Sequence, residues 1–423
     1  MVVILGLILF LILLVIGTPI WLGLSISGGL LVYVVMDLPI TTMISQFLIA
    51  TDSWILLAIP YFLLAGNLMT NLGMAQRMLS FITNLVGHLP GGMSAAAVLS
   101  CVVFGALSGS SAATVVAVGA MLIPQMLSLG YSKEQSMGII ATSGTLGQII
   151  PPSVYMIVYA SMTQLDVGDL FMAGILPGLF IATALIITAV VISLIEGAKV
   201  KKRSAMKEIL LSFLRGLPAL LMPIIVLGGI YAGIFTPTEA AAIAVFYVLL
   251  ISFLFNRKQF TRKNLMDSLV SSMKTTTVIY LLLGGAVLFS AALTYIQIPM
   301  QITQFVSGLD VPSWLILLAI LGLYIVFGLF LDALPILYIT IPIVFPTVMA
   351  LGYDPIHFGV ITVACMMISQ VTPPVGVSLF VLSGHFNERV TTIIRGSTPY
   401  LITLIIATLV LIYVPWISTA LVN

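Results

Sequence analysis

Gln148-Ile149-Ile150-Pro151-Pro152-Ser153 is answered 222 residues later by Gln370-Val371-Thr372-Pro373-Pro374, and each stretch lies within a long apolar run of a 423-residue chain. A Pro-Pro pair removes two backbone donors and pushes the preceding residue out of the α region. A helix carrying it therefore unwinds there and exposes carbonyl oxygens. The recurrence extends outward from this stretch. Pro124, Leu129, Gly130, Tyr131 and Pro177 return at the same offset as Pro346, Leu351, Gly352, Tyr353 and Pro399. Thr18-Pro19, Tyr61 and Gly66 are echoed by Thr236-Pro237, Tyr280 and Gly285 at offsets of 218 and 219. An internal duplication covers nearly the whole chain.

The composition names the solvent. Only 15 Lys+Arg and 13 Asp+Glu occur, where a soluble protein of this length would carry roughly a hundred charged side chains. Hydrophobic residues make up 61% and the mean hydropathy is +1.26, so the surface faces the hydrocarbon of a lipid bilayer. A net charge of +2 is too small for phosphate-backbone binding, which excludes nucleic acid as a partner. Cys101 and Cys365 both sit in apolar runs and read as packing residues. No P-loop, His-Glu-x-x-His or Ser/His/Asp arrangement is present, which leaves an intramembrane enzyme as a distant rival to a transporter. The start of the chain, 2–16, is apolar without a basic leader and is expected to be a retained crossing.

Ten apolar runs are long enough to cross: 2–16, 20–36, 54–69, 137–162, 171–195, 217–234, 240–255, 276–293, 358–382 and 400–421. Two more stretches, about 93–127 and about 312–349, are interrupted near the middle by Gly, Ser, Asp or Pro, and each is either two close crossings or one re-entrant hairpin. Taking both as re-entrant gives an all-α polytopic membrane protein of two five-crossing repeats. An odd number turns the second repeat upside down relative to the first. The first repeat spans 1–198, with a broken helix over about 133–163; the second spans 216–423, with one over about 355–385. A basic connector, 199–215, joins them. With the N-terminus outside, all 15 basic residues fall on the cytoplasmic side, acids alone mark the outer segments, and both termini lie outside. Counting the hairpins as two crossings each gives the same sides. Residues 74–89 and 265–273 read as amphipathic interfacial arms in equivalent places, and His88, His357 and His385 as interfacial.

The chemistry is expected where the breaks lie. The first tip is Gly105-Ala-Leu-Ser108-Gly109-Ser110-Ser111 and the second Gly328-Leu-Phe-Leu-Asp332-Ala-Leu-Pro335; their partner segments are Thr142-Ser143-Gly144-Thr145-Leu-Gly147-Gln148 with Pro151-Pro152, and Ser369-Gln370-Val-Thr372 with Pro373-Pro374. Polar residues in mid-membrane are costly unless they line a cavity or bind an ion. Unwound carbonyls with Ser, Thr or Asp oxygens are hard ligands suited to a small cation such as Na+. Close helix packing is the other reading, applying to Ser111, Ser143 and Gly144 in particular. Asp332 is the one acid deep in an apolar context, read as a cation ligand or protonatable relay, or else as a carboxylate facing an aqueous loop from a shallower hairpin. Glu239 reads as a helix N-terminal charge.

At Ser108-Gly109-Ser110-Ser111-Ala-Ala-Thr-Val, Gln148-Ile-Ile-Pro151-Pro152-Ser153, Phe171-Met-Ala-Gly-Ile-Leu-Pro177-Gly178 and Thr372-Pro373-Pro374-Val-Gly376, the chain resembles the large membrane subunit of tripartite ATP-independent periplasmic (TRAP) transporters. The tip is most similar to the C4-dicarboxylate branch. The resemblance spans the full chain and implies a Na+-coupled secondary importer of the bacterial inner membrane with elevator-type architecture, and not an enzyme. It implies two partners, a periplasmic substrate-binding protein and a small four-helix membrane subunit. It also implies one Na+ site at Ser108 and Ser110 with Gly147, Ile150 and Pro151, and another at Asp332 with Ser369, Gln370 and Thr372. The substrate, a small organic acid, would lie near Ser111, Ser143, Gly144, Thr145, Pro152, Pro373 and Pro374. A stand-alone divalent-anion/Na+ symporter of similar architecture is the alternative.

Overall fold

The computed structural model describes residues 2–422, and among them it contains helices and no strand. In chain order the first half holds α1 (Val2–Val15), α2 (Ile20–Met36), α3 (Ile40–Thr51), α4 (Ala58–Asn71), α5 (Met74–Val86), α6 (Gly92–Ser108), α7 (Ser111–Ser128), α8 (Lys133–Ser143), α9 (Val154–Thr163) and α10 (Val167–Ile195). The second holds α11 (Met206–Tyr231), α12 (Pro237–Phe255), α13 (Arg262–Tyr295), α14 (Ile298–Ser307), α15 (Ser313–Gly328), α16 (Ala333–Ala350), α17 (Pro355–Gln370), α18 (Val377–Phe386), α19 (Val390–Tyr413) and α20 (Trp416–Thr419). Seven of them, α7, α10, α11, α12, α13, α16 and α19, are long and apolar enough to cross a bilayer. The pair α3–α4, bent by 60°, makes an eighth if it is counted as one span.

Short polar caps set the helix starts. Ser132 accepts from Gln135 N at 3.1 Å to open α8, Asp166 from Asp169 N at 3.1 Å to open α10, and Asp354 from His357 N at 2.7 Å to open α17. Glu239 behaves as its place after Thr236-Pro237 predicts. It accepts from Thr236 N at 2.9 Å while its own N–H bonds Thr236 Oγ1 at 3.3 Å, a capping box.

The helices form two groups. In one, α1–α5 pack with α11–α13, α2 lying along α13, α4 against α12 and α5 against α11. In the other, the pairs α6–α7 and α15–α16 enclose α8, α9, α17 and α18, with α10 and α19 alongside. Lipid offers no hydrophobic drive between helices, so close backbone approach and interhelical hydrogen bonds hold the groups. A Cβ on Gly28 of α2 would stand 2.6 Å from Phe289 N of α13, and one on Gly285 would stand 2.7 Å from Ser25 Oγ. Asn67 and Asn71 of α4 donate to Ser272 and Ser268 of α13 at 2.8 and 2.9 Å, about 0.6–2 kcal/mol each in such a setting. In the second group, a Cβ on Gly138 of α8 would run into the Gly396 backbone of α19.

The arm expected over 265–273 is not a separate element, since those residues lie inside the unbroken 34-residue α13. Thr261 caps that helix, accepting from Asn264 N at 3.2 Å, and no glycine or proline follows before Gly284. The run continues into the crossing for about 50 Å in all. In the first half Asp52-Ser53 breaks the chain between α3 and α4, and α3 is an element the apolar runs do not reveal. By position after the crossing, α14 is the counterpart of α5. His357, expected at an interface, is buried, and its Nδ1 meets Ser418 Oγ at 3.1 Å.

Candidate functional site

In the second group every residue from Gln135 to Ala160 is buried. After α8 the chain tightens into a 3-10 segment, Gly144–Gln148, passes Ile149-Ile150-Pro151-Pro152 without helix, and restarts at α9. Ser153 caps α9, accepting from Met156 N at 3.3 Å while its hydroxyl donates to the Gln148 carbonyl. Among the described residues, no backbone or side-chain donor reaches the carbonyls of Ile150, Pro151 or Pro152. The α6–α7 tip is pressed onto this break. A Cβ on Gly105 would stand 2.6 Å from Gly147 Cα, and one on Gly109, whose φ is +59°, would stand 3.1 Å from the Pro152 oxygen. Ser108 Oγ meets Thr114 Oγ1 at 3.0 Å, and Thr114 Oγ1 donates to the Ser110 carbonyl at 2.7 Å. Gly105 and Gly109 thus seat the tip that carries Ser108 and Ser110 on Gly147 and Pro152 of the break, while the Ile150 side chain turns toward Gly178 of α10.

The second break repeats the plan with different exposure. Helix α17 is buried from His357 to Gln370, and the chain then runs without helix to α18. Among the described residues, no hydrogen bond is made to the carbonyls of Pro373 and Pro374. Both Pro-Pro bonds are cis. A Cβ on Gly328, at the end of α15, would overlap the Ser369 side chain, which seats the α15–α16 tip on this break. Asp332 is half-buried; it accepts from Ala333 N at 2.8 Å and from Gln370 Nε2. Asp332, Ser369 and Gln370 therefore form one cluster. The hydroxyls of Ser369 and Thr372 are turned back onto Met366 O and Ile368 O at 2.8 and 2.6 Å. Pro373 and Pro374 are exposed, whereas Pro151 and Pro152 are buried.

Among the residues expected at the substrate, Ser143 and Thr145 donate to Ile139 O and Thr142 O of their own turns, at 2.5 and 2.7 Å. Gly144 admits Val115 of α7. Ser111 reaches across the halves to Ser378 Oγ of α18 at 2.8 Å. Other participants are not among the site residues expected from the sequence. Thr114 and Ser378 complete hydroxyl contacts at the first tip, and Gly66 of α4 lets the first helix group approach Ser108 Cα, 2.8 Å from where its Cβ would stand. Gln148, noted only as part of the repeat, is fully buried with neither amide atom hydrogen-bonded, although its counterpart Gln370 binds Asp332.

Each break sets a helix C-terminus, the negative end of its dipole, against N-termini, those of α7 and α9 at the first and of α16 and α18 at the second. Tips 105–111 and 328–335 and breaks 144–153 and 369–376 contain no Lys, Arg or His. No group of three His, Cys, Asp or Glu able to hold a metal occurs among the described residues. Carbonyl and carboxylate oxygens without nitrogen or sulfur suit a hard cation, and helix N-termini suit an anion.

Comparison with known proteins follows the same line. The Alcanivorax borkumensis YdaH transporter superposes with a TM-score of 0.64 over 90% of this chain and 88% of its own, at 17% identity, a likeness of fold. The C4-dicarboxylate TRAP transporter large permease protein DctM of Pseudomonas aeruginosa is 39% identical over 95% of this chain and 94% of its own. The isethionate TRAP transporter permease protein DctMQ of Oleidesulfovibrio alaskensis is 38% identical over 96% of this chain and 64% of its own. Residues 7–417 match the family described as "Tripartite ATP-independent periplasmic transporter, DctM component". With nearly its whole length inside that description, this chain belongs to the DctM family of membrane permeases.

Proposed function

We propose that the chain imports a small organic anion, a C4-dicarboxylate or related carboxylate, across the bacterial inner membrane in symport with Na+. A periplasmic binding protein would deliver the substrate and a small four-helix subunit would accompany the chain in the membrane. The observation that carries the proposal is the pairing of two tips with two helix breaks whose carbonyls lack donors, one of them holding a carboxylate and neither holding a cationic side chain. The relative from Pseudomonas aeruginosa is named for C4-dicarboxylates, and the name DctMQ joins the large permease to a second component in one chain.

In this proposal Ser108, Ser110, Gly147, Ile150 and Pro151 hold one Na+, and Asp332, Ser369, Gln370 and Thr372 another. The anion lies between the tips near Ser111, Ser143, Gly144, Thr145, Pro152, Pro373 and Pro374. Burying an unpaired carboxylate is costly. Without Lys or Arg in these segments, its charge is balanced by the co-transported Na+ and by the N-termini of the half-helices. Anion and Na+ then bind cooperatively, each tightening the other by the same factor. The helices gathered around the breaks move as an elevator against the first group, the two tips being re-entrant hairpins of inverted repeats and both termini lying outside.

Uptake into liposomes by the purified chain with both partners, at matched ionic strength with and without Na+, tests this. The expected result is loss of uptake without Na+. Undiminished anion uptake without Na+ and without a proton gradient would refute the coupling, and equal uptake without the binding protein would favour the stand-alone symporter.

A further inference from the structure

Transport by the two breaks makes no use of a cleft of about 790 Å³ at the end of the molecule that carries the basic residues. Its floor is the arm α5 with Arg77 and Asn84, one wall is the connector with Lys201 and Ser204, and the other is the start of α11 with Glu208 and Arg215. Asn84 Oδ1 accepts from Lys201 Nζ at 3.0 Å and from Ser204 Oγ at 3.3 Å, which ties the connector down onto the arm. Arg77 Nη2 donates to the Phe255 carbonyl at 3.0 Å, so its guanidinium is also held in place.

Three cations, Arg77, Lys201 and Arg215, outnumber the one carboxylate beside them, Glu208. The ion pair found among the described residues is Lys133–Glu388, far along the chain from the cleft. Glu208, the one carboxylate in the cleft, accepts from Ala205 N at 3.2 Å to start α11. Arg77 is held below its ordinary pKa by burial and by the neighbouring Arg215 guanidinium, and burial lowers Lys201 against the opposing pull of the Glu208 carboxylate. Three cations gathered around a single carboxylate favour an anion that bridges them, and guanidinium groups suit phosphate in particular. The α11 wall turns apolar at the rim, for Leu211, which lines the cleft, and Leu214 next to it on the helix surface are 45% and 55% exposed. An acyl chain could lie along them while its headgroup entered the cleft.

We propose that this cleft binds a phosphate-bearing anion, the phosphodiester headgroup of an anionic phospholipid being the source its apolar rim fits. The full chain, purified in neutral detergent, is offered phosphatidylglycerol or phosphatidylcholine of the same acyl chains, and retained lipid is counted by native mass spectrometry. Phosphatidylglycerol is expected to be retained preferentially, with roughly fivefold weaker retention in Arg215→Gln and a larger loss in Arg77→Gln/Arg215→Gln. Lys263→Gln, an exposed basic position outside the cleft, should leave retention unchanged.

Because Arg77 also binds Phe255, the double variant can fail to fold; Arg215→Gln with a wild-type melting temperature then decides alone. Unchanged phosphatidylglycerol retention in Arg215→Gln, or equal retention of phosphatidylcholine, would overturn the proposal. In a lipid-free arm, inorganic phosphate is titrated against the thermal transition. Stabilisation by millimolar phosphate equal to that by phosphatidylglycerol would overturn the lipid source, and no stabilisation supports it.

Discussion

Gly105→Ala puts one carbon where the first tip meets the first helix break. The added Cβ would stand 2.6 Å from Gly147 Cα and 2.8 Å from Gly147 N, whereas unstrained carbon contacts lie near 3.5–4.0 Å, so tip and break must part by about 1 Å. Both atoms it meets are backbone, which has no flexible end to swing aside, and overpacking of this kind costs about 2–3 kcal/mol. Alanine in a helix interior returns about 1 kcal/mol of propensity relative to glycine. The net cost is about 1–2 kcal/mol, which corresponds to a factor of roughly 5–30 in an equilibrium constant.

The parting moves the tip that carries Ser108 and Ser110 away from the break that carries Gly147, so if these residues hold Na+ as proposed, the penalty should fall on cation binding. The concentration of Na+ giving half-maximal uptake is expected to rise by roughly 5–30-fold with expression retained. Gly384→Ala is the matched control, since its Cβ would meet nothing within 4 Å in α18. The assay is Na+-dependent uptake into liposomes alongside thermal unfolding of each variant. Wild-type Na+ dependence and melting temperature in Gly105→Ala, or an equal effect in Gly384→Ala, would refute the reasoning.

Asp332→Asn should raise the Na+ requirement at least tenfold with membrane insertion intact, because a neutral amide cannot compensate a cation beside the Gln370 and Ala333 donors; unchanged Na+ dependence would remove Asp332 from the site. Replacing Pro151-Pro152 or Pro373-Pro374 with Ala-Ala restores two backbone donors to each break, and transport should fall by more than tenfold at normal expression. Wild-type rates in both variants would reduce the prolines to kinks. Lys202→Cys, in the exposed part of the connector, should not react with an impermeant thiol reagent in intact cells, as both native cysteines are buried; labelling from outside would invert the topology.

The breaks were legible because proline acts locally. Two missing donors disturb the helix whatever surrounds them, and the structure interrupts its helices at Pro151-Pro152 and Pro373-Pro374. The tips were legible because Gly109 and Asp332 are costly in a plain crossing. Packing was harder to read, since in a membrane protein the residues facing lipid and those facing other helices are both apolar. The sequence marks Gly105 as part of a tip, but not that it abuts Gly147 while Gly384 abuts nothing. The length of α13 went unread because its basic first turns look like an arm, and an arm followed by a crossing has the same hydropathy whether the helix breaks or continues. The contrast between buried Pro151-Pro152 and exposed Pro373-Pro374 is likewise a difference that an internal repeat conceals.

The two halves are also threaded through one another. α2 lies on α13, α4 on α12, α5 on α11 and α8 on α19, and Tyr159 of the first half donates to the Pro355 carbonyl of the second at 2.8 Å. Thr188 and Thr403 meet at 2.8 Å in the same manner. Each half thus completes the buried faces of the other, and half a chain emerging from the ribosome has no finished interior of its own. Biogenesis must hold the first ten helices in a provisional arrangement until α11 to α19 arrive, with 199–205 serving as a tether that keeps the partner at high effective concentration.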